Sequence, residues 1–485
     1  MSVTQSDLKT ALQELAQNRV APVRDIIAQS TDMALIAFLQ GKLRLRENDA
    51  PAAIQLFGLA TNLAPQNLFF REQLARLCFE LGDKAAAYQN YRRCVLINPT
   101  HGTACRMMSL LWHKPSTADQ ELIKRALAAT ASQSGTGRIE ILFAAAKLNL
   151  DMGKASSAFQ IYAAAGAMQK KLHPWHAGPL HTLVSALTSK VTAEWLQANA
   201  LKGEPDSHPV FIIGMPRSGT TLVESLLLAH PDVVSAGESR AAENALNGIN
   251  VSGTRIETSR RNDKRLIPLT AQPALSARGL HYMEGIRSAA PRASAMRCVD
   301  KFPGNYLWLG LIHAILPNAR FIHCARHPCA SALSQYFHYF GSELPYSYDF
   351  HDLANAYLAY EKVMLHWKMV LPAHTMITIR YDDLVENFAS SARRLVEHSG
   401  LTWSDACLEP QRRLGLVKTA SAVQVKQPVH QKSVAAWENY RIHLLPLIEA
   451  LGESYDAFET RWPRSHISPA PRAGVEQNIC SKGDE

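Results

Sequence analysis

The sequence predicts two unlike halves: an N-terminal all-α repeat superhelix, then a P-loop-type α/β domain built on a parallel sheet. Three observations carry this. Two consecutive segments of 34 residues close on prolines, Pro65 and Pro99, with small and aromatic residues at matching positions. Beyond about residue 205, short apolar runs alternate with helical stretches, the pattern of a parallel sheet covered by helices. One of these runs, Val210–Ile213, enters the turn Gly214-Met215-Pro216-Arg217-Ser218-Gly219 and is followed by two threonines and a leucine-rich helix.

The repeat units are residues 34–67 and 68–101. The first places Gly41, Ala53, Phe57, Ala60 and Pro65, and the second Leu74, Ala87, Tyr91 and Pro99, at tetratricopeptide positions. Small residues let two helices approach, the aromatic fills the gap between them, and proline ends the second helix. The phase weakens beyond Thr103 and returns with Gly153, Ala158, Tyr162 and Ala165. Four or five helical hairpins are expected over 1–170, then a helical connector over 171–205, a catalytic domain over 206–466 and a disordered tail over 467–485. The repeat surface suits a peptide or protein partner; packing on the second domain, or on a second copy in a homodimer, is the alternative.

Composition sets further bounds. The 485 residues, 47% hydrophobic and 19% charged, suffice for two or three folded domains. A net charge of +9 favours anionic ligands, but no dense Lys/Arg run or nucleic-acid motif accompanies it, so nucleic acid is not expected. The eight cysteines show no C-x-x-C pair and no zinc spacing, which predicts reduced thiols, a cytoplasmic setting and no metal. The polar, amphipathic N-terminus lacks the apolar centre of a signal peptide, and no membrane span is expected.

In the C-terminal half the expected strands are Val210–Ile213, Cys298–Val299, Arg320–Cys324 and Met376–Ile379. Ligands of such sheets sit at the carboxyl ends of the strands, here Gly214–Thr221, Asp300–Lys301, Ala325–His327 and Arg380–Tyr381. Arg217, Ser218, Gly219, Thr220 and Thr221 form an anion cradle at a helix N-terminus. Thr220 stands where a nucleoside triphosphatase loop carries lysine, which argues against ATP or GTP hydrolysis. Arg326, just past a strand, and Ser334, eight residues on in the next helix, offer a second phosphate cradle. Together they imply a ligand with two separated phosphates.

The combination P-R-S-G-T-T-L and R-x-x-x-x-x-x-x-S resembles the sulfotransferases that use 3′-phosphoadenylyl sulfate. It is most similar to their tyrosylprotein-sulfotransferase-like branch and to fusions of that domain with tetratricopeptide repeats, over about 205–465. The resemblance implies that Arg217–Thr221 hold the 5′-phosphosulfate and that Arg326 and Ser334 hold the 3′-phosphate, with adenosine 3′,5′-bisphosphate as product. It implies that Glu238, in HPDVVSAGESR, is the general base for the acceptor hydroxyl; pairing with Arg240 or Arg217 is the alternative. Lys301 is assigned to the bridging oxygen of the donor, unless Asp300 merely holds it; the family has asparagine before this lysine. Tyr381 is placed where the family contacts the nucleotide, or else in the core. Ser421 would donate to the transferring group. Ala436 stands where the family has lysine before tryptophan, so that contact shifts to Lys426 or Lys432; His338 replaces a family arginine. The expected function is sulfuryl transfer to a hydroxyl, on a peptide or protein and with tyrosine as one acceptor. A P-loop nucleotide kinase and a catalytically idle repeat scaffold are the alternatives.

Overall fold

The computed structural model describes residues 3–200, 202–206, 208–251, 254–256, 274–290, 295–410 and 434–464. Its first part is a run of helices: α1 (Val3–Ala16), α2 (Ala21–Gln29), α3 (Met33–Arg46), α4 (Ala50–Leu63), α5 (Leu68–Leu81), α6 (Lys84–Ile97), α7 (Gly102–Leu111), α8 (Thr117–Ala129), α9 (Thr136–Asp151) and α10 (Ala155–Leu172). Short polar side chains start them. Asp32 accepts from the backbone of Ala34 and Leu35, Asp49 from Ala52, Asn67 from Phe70 and Asp83 from Ala86, each cap contributing about 1 kcal/mol. Successive helices joined by two to four residues fold back on each other, α3 on α4 and α5 on α6. Gly41 shows why the repeat needs small residues: a Cβ there would lie 2.6 Å from Cδ1 of Phe57. Phe57 in turn stacks on Phe38 at 5.0 Å between ring centres.

Helix α9 belongs to two cores at once. Ile141, Ala144, Ala145 and Leu148 face the helical array, whereas Ile139, Leu142, Phe143 and Ala146 join the core of the C-terminal half. Helix α10 continues that junction through Tyr162, stacked on Phe337 at 4.8 Å, and Phe159, stacked on His443 at 4.4 Å. Helices α11 (Ala177–Lys190) and α12 (Ala193–Asn199) then lead to the sheet.

The strands are β1 (Pro209–Gly214), β2 (Val233–Gly237), β3 (Ile249–Val251), β4 (Thr254–Ile256), β5 (Arg297–Asp300), β6 (Arg320–Ala325) and β7 (Met376–Arg380). Strands β3 and β4 form a separate antiparallel pair; the other five make one parallel sheet in the order β2-β5-β1-β6-β7. The central strand β1 is buried on both faces: Val210 and Ile212 join one core, Phe211 and Ile213 the other. Continuous apolar runs of this kind mark sheets covered by helices on both sides. The covering helices are α13 (Thr220–Leu228), α14 (Ala241–Leu246), α15 (Leu275–Ala289), α16 (Leu309–Ile315), α17 (Pro328–Tyr336), α18 (Phe350–Val370), α19 (Tyr381–Glu386) and α20 (Phe388–His398). All four strands expected from apolar runs are present. The fifth sheet strand, β2, was not expected: it is an edge strand whose apolar run is only Val233–Val234 before Ser235-Ala236-Gly237.

Candidate active site

The turn after β1 is shaped by backbone that few residues adopt. Arg217 has φ +68° and Gly219 φ +104°. A non-glycine residue held in the left-handed region costs about 1–2 kcal/mol, and such strain is concentrated where function requires it. A Cβ on Gly219 would lie 2.6 Å from Cδ2 of Tyr381. Gly219→Ala is therefore expected to push Tyr381 out of place and to weaken binding of adenosine 3′,5′-bisphosphate by roughly 10-fold or more, measured by calorimetry. The Ser218 hydroxyl is buried and has no hydrogen-bond partner among the described residues. A buried hydroxyl in that state fits a loop made to hold an anion.

The two cradles expected as separate sites are one. Arg217 Nε donates to Ser334 Oγ at 3.0 Å, and Arg326 Nη1 donates to the Arg217 carbonyl at 2.8 Å. Ser331, on α17, ties the same turn through the Pro216 carbonyl at 3.0 Å. The reason is the sheet order: β1 and β6 are neighbours, so the loop of one lies against the helix that follows the other. Burial, helped by the nearby Arg326, lowers the Arg217 pKa to about 10, and burial also pushes Arg326 down. Two guanidiniums brought together out of water favour an anion between or beside them. Tyr381 opens α19 with its ring 4.4 Å from the Arg326 guanidinium. It is half-buried, so its place is the wall of this cradle rather than the core.

The other end of the line lies past β2 and β5. Lys301 Nζ donates to Glu238 Oε1, and Glu224 Oε2 lies 3.7 Å from the same ammonium. Glu238 thus pairs with Lys301. Asp300 does not hold Lys301 as the alternative had it: its carboxyl receives Tyr282 Oη and Asn305 Nδ2, both at 3.2 Å. Burial raises Asp300 to about 8, so near neutrality it presents an uncharged side chain, as the asparagine of the resembling family would. A carboxyl with a native pKa near 8 and an ordinary value of 3.8 destabilises the fold progressively between those pH values, because only the unfolded chain ionises there. Asp300→Asn should remove this dependence: relative to the native protein, the variant gains melting temperature as pH rises from about 4 to about 8, with the gain levelling off above.

His338 is part-buried, and its desolvation together with Arg217 and Arg106 holds its pKa down to about 3. It is therefore neutral and cannot replace the charge of an arginine. His327, next to Arg326, is stacked on Trp437 at 4.4 Å. Ser421, Lys426 and Lys432 lie outside the described residues. Sequence reasoning missed Glu224, which lies within the apolar stripe of α13, and Ser331; the spacing of Glu224 four residues after Thr220 was the available signal.

Across the sheet, then, the carboxyl ends of β2, β5, β1, β6 and β7 present Glu238, Lys301, the Arg217–Thr221 loop, Arg326 and Tyr381 in spatial order. Residues 209–405, which span this row, match the sulfotransferase family. The C-terminal half carries a sulfotransferase-family domain. Over most of its length, the chain is 26% identical over 424 residues to a protein of Aquifex aeolicus (strain VF5) described as uncharacterized, covering 87% of this chain and 55% of that one. It is 25% identical over 237 residues to protein-tyrosine sulfotransferase A of Caenorhabditis elegans, covering 47% of this chain and 60% of that one. The chain thus spans less than two thirds of either relative's length. The sulfotransferase domain of the Synechococcus PCC 7002 olefin synthase is 20% identical, with 53% of this chain and 95% of that domain covered at a TM-score of 0.36.

Proposed function

We propose that this protein is a sulfotransferase that moves a sulfuryl group from 3′-phosphoadenylyl sulfate to a hydroxyl, with a peptide or protein tyrosine as the leading acceptor. The observation that supports this most is the row of strand-end groups: a carboxylate and an ammonium at one end and a joined arginine pair at the other, with an anion loop between. The buried Ser218 hydroxyl, without a partner among the described residues, and the close approach of Tyr381 to Gly219 fit a donor with an anionic group in the loop and a nucleotide along Tyr381. When bound, the donor supplies the sulfuryl group.

The residues then divide the work. Arg217 and the N-terminus of α13 hold the anionic oxygens in line with the acceptor. Glu238 takes the proton of the acceptor oxygen as that oxygen bonds to sulfur. Lys301 neutralises the phosphate oxygen that keeps the electron pair of the breaking bond. Such electrostatic contacts are each worth about 10²–10³ in rate, and a placed base about 10²–10⁴. A carboxylate is a better match for a phenol, with pKa about 10, than for an aliphatic alcohol, which is why tyrosine leads. Lys170 pairs with Asp349 and Asp352 across the junction of the helical array and the domain, which supports an array held against the domain. The buried thiols of Cys78, Cys94, Cys105, Cys298, Cys324 and Cys329 support a cytoplasmic location.

The test is incubation with sulfur-labelled donor and a panel of tyrosine peptides, small phenols and aliphatic alcohols. Label is expected on the tyrosine peptides first. Transfer to none of these hydroxyls would contradict the reading, and phosphate transfer from ATP would favour a nucleotide kinase instead.

A further inference from the structure

Beneath the rim of the site lies a carboxylate to which the transfer reaction gives no role. Glu224 sits on α13, one turn in from the anion loop, with its side chain 11% exposed. Its Oε1 accepts from Ser235 Oγ at 2.7 Å, and Ser235 Oγ also accepts from the Gly237 backbone at 2.9 Å. Its Oε2 lies 3.7 Å from Lys301 Nζ. Lys301, 1% exposed, therefore stands between two carboxylates: Glu238 on the rim, 47% exposed, and Glu224 in the interior. Also near this set are Asp300, the neighbour of Lys301 on β5, Tyr282 of α15, which bonds to Asp300, and Arg240, which lies over Phe302 and pairs with Glu243. Asn305 takes the second Asp300 oxygen.

A buried ammonium requires a counter-charge at every stage, because leaving one uncompensated is strongly unfavourable. Glu238 cannot be that partner throughout. While it is bound to Lys301 its lone pairs are engaged and its negative charge is stabilised, both of which weaken it as a proton acceptor. Once it has taken the acceptor's proton it is neutral. Resting on the sulfotransferase reading above, we infer that Glu224 is the standing counter-ion of Lys301, taking over the ammonium when Glu238 turns to the acceptor hydroxyl. The exchange frees the base and keeps Lys301 charged beside the leaving oxygen. Glu224 touches neither reacting partner in this scheme and is a positioning residue. Burial pushes its carboxyl upward while Lys301 and Ser235 pull it back, as expected of a group whose charge depends on the ammonium.

Glutamine at 224 is nearly isosteric and keeps an acceptor for Ser235, so it removes the charge and retains the local fold. Glu224→Gln is expected to lower kcat by roughly 10- to 100-fold with the donor KM within about twofold, and Glu224→Asp to recover part of the loss. A second readout needs no turnover. Glu224→Gln and Glu238→Ala each leave Lys301 one carboxylate, whereas the double variant leaves none, so its loss of melting temperature should exceed the sum of the singles by roughly 3 °C or more. Native kcat in Glu224→Gln, or additive losses in the double variant, would overturn the inference. If the native protein transfers no sulfuryl group, the sulfotransferase reading fails by itself, and the unfolding comparison still decides whether the two carboxylates share Lys301.

Discussion

Arg217→Met is expected to abolish measurable sulfuryl transfer and to weaken adenosine 3′,5′-bisphosphate binding by about 100-fold or more. Arg217, in the loop, bonds to the second cradle through Ser334, while its carbonyl receives Arg326. Its replacement by methionine therefore loses a charge and the tie to Ser334, while the backbone carbonyl that receives Arg326 stays. Charge-assisted hydrogen bonds contribute about 1.5–3 kcal/mol each, and the loss of those the guanidinium would make to the bound anion accounts for the expected factor. Lysine should not rescue the loss, since an ammonium cannot reproduce the planar fork that reaches Ser334. The measurement is calorimetry beside a thermal melt: a variant that melts like the native protein yet binds the bisphosphate normally would remove Arg217 from the donor site.

The second large effect is that of Glu238→Gln, which should lower kcat by about 10³-fold and leave the donor KM nearly unchanged. The amide keeps the shape and an acceptor for Lys301 but cannot take a proton. The loss should be larger for a phenolic peptide than for an acceptor whose proton is already gone, such as a phenol of low pKa. That contrast separates a base from a residue that only orients Lys301: an orienting role would lower both acceptors alike. The half-exposed position of Glu238, against the full burial of Lys301, is what lets an acceptor hydroxyl reach it.

Much of this was legible in the sequence because the loop and the strands obey local rules. The Val210–Ile213 run, the glycine turn and the threonine-led helix specify a strand, an anion loop and a helix start without help from distant residues. The repeat positions Gly41 and Phe57 were legible for the same reason, since one fills the space the other vacates. What the sequence hid was pairing across the sheet. Nothing local says that β6 lies beside β1, so Arg326/Ser334 looked like a second, distant cradle when it touches the first. Edge strand β2 was hidden by the small and polar residues of its second half, Ser235-Ala236-Gly237, and with it the way Gly237 sets Glu238 opposite Lys301, whose amide donates to the Gly237 carbonyl at 3.0 Å. Glu224 was hidden by its neighbours: within Leu222–Leu228 it reads as a solvated gap in an apolar helix, whereas its partner Lys301 is 77 residues away in the chain. The shared helix α9 was equally unreadable, because an all-round apolar helix does not say which two cores it divides.

The most direct measurement is titration calorimetry of the intact protein with adenosine 3′,5′-bisphosphate, without magnesium, against ATP with magnesium. The expected result is a one-to-one complex with the bisphosphate at about micromolar affinity, about −8 kcal/mol, and ATP binding at least about 10-fold weaker. Equal or tighter binding of ATP with magnesium, or no binding of the bisphosphate, would contradict a sulfate-donor site built from Arg217, Arg326 and Ser334.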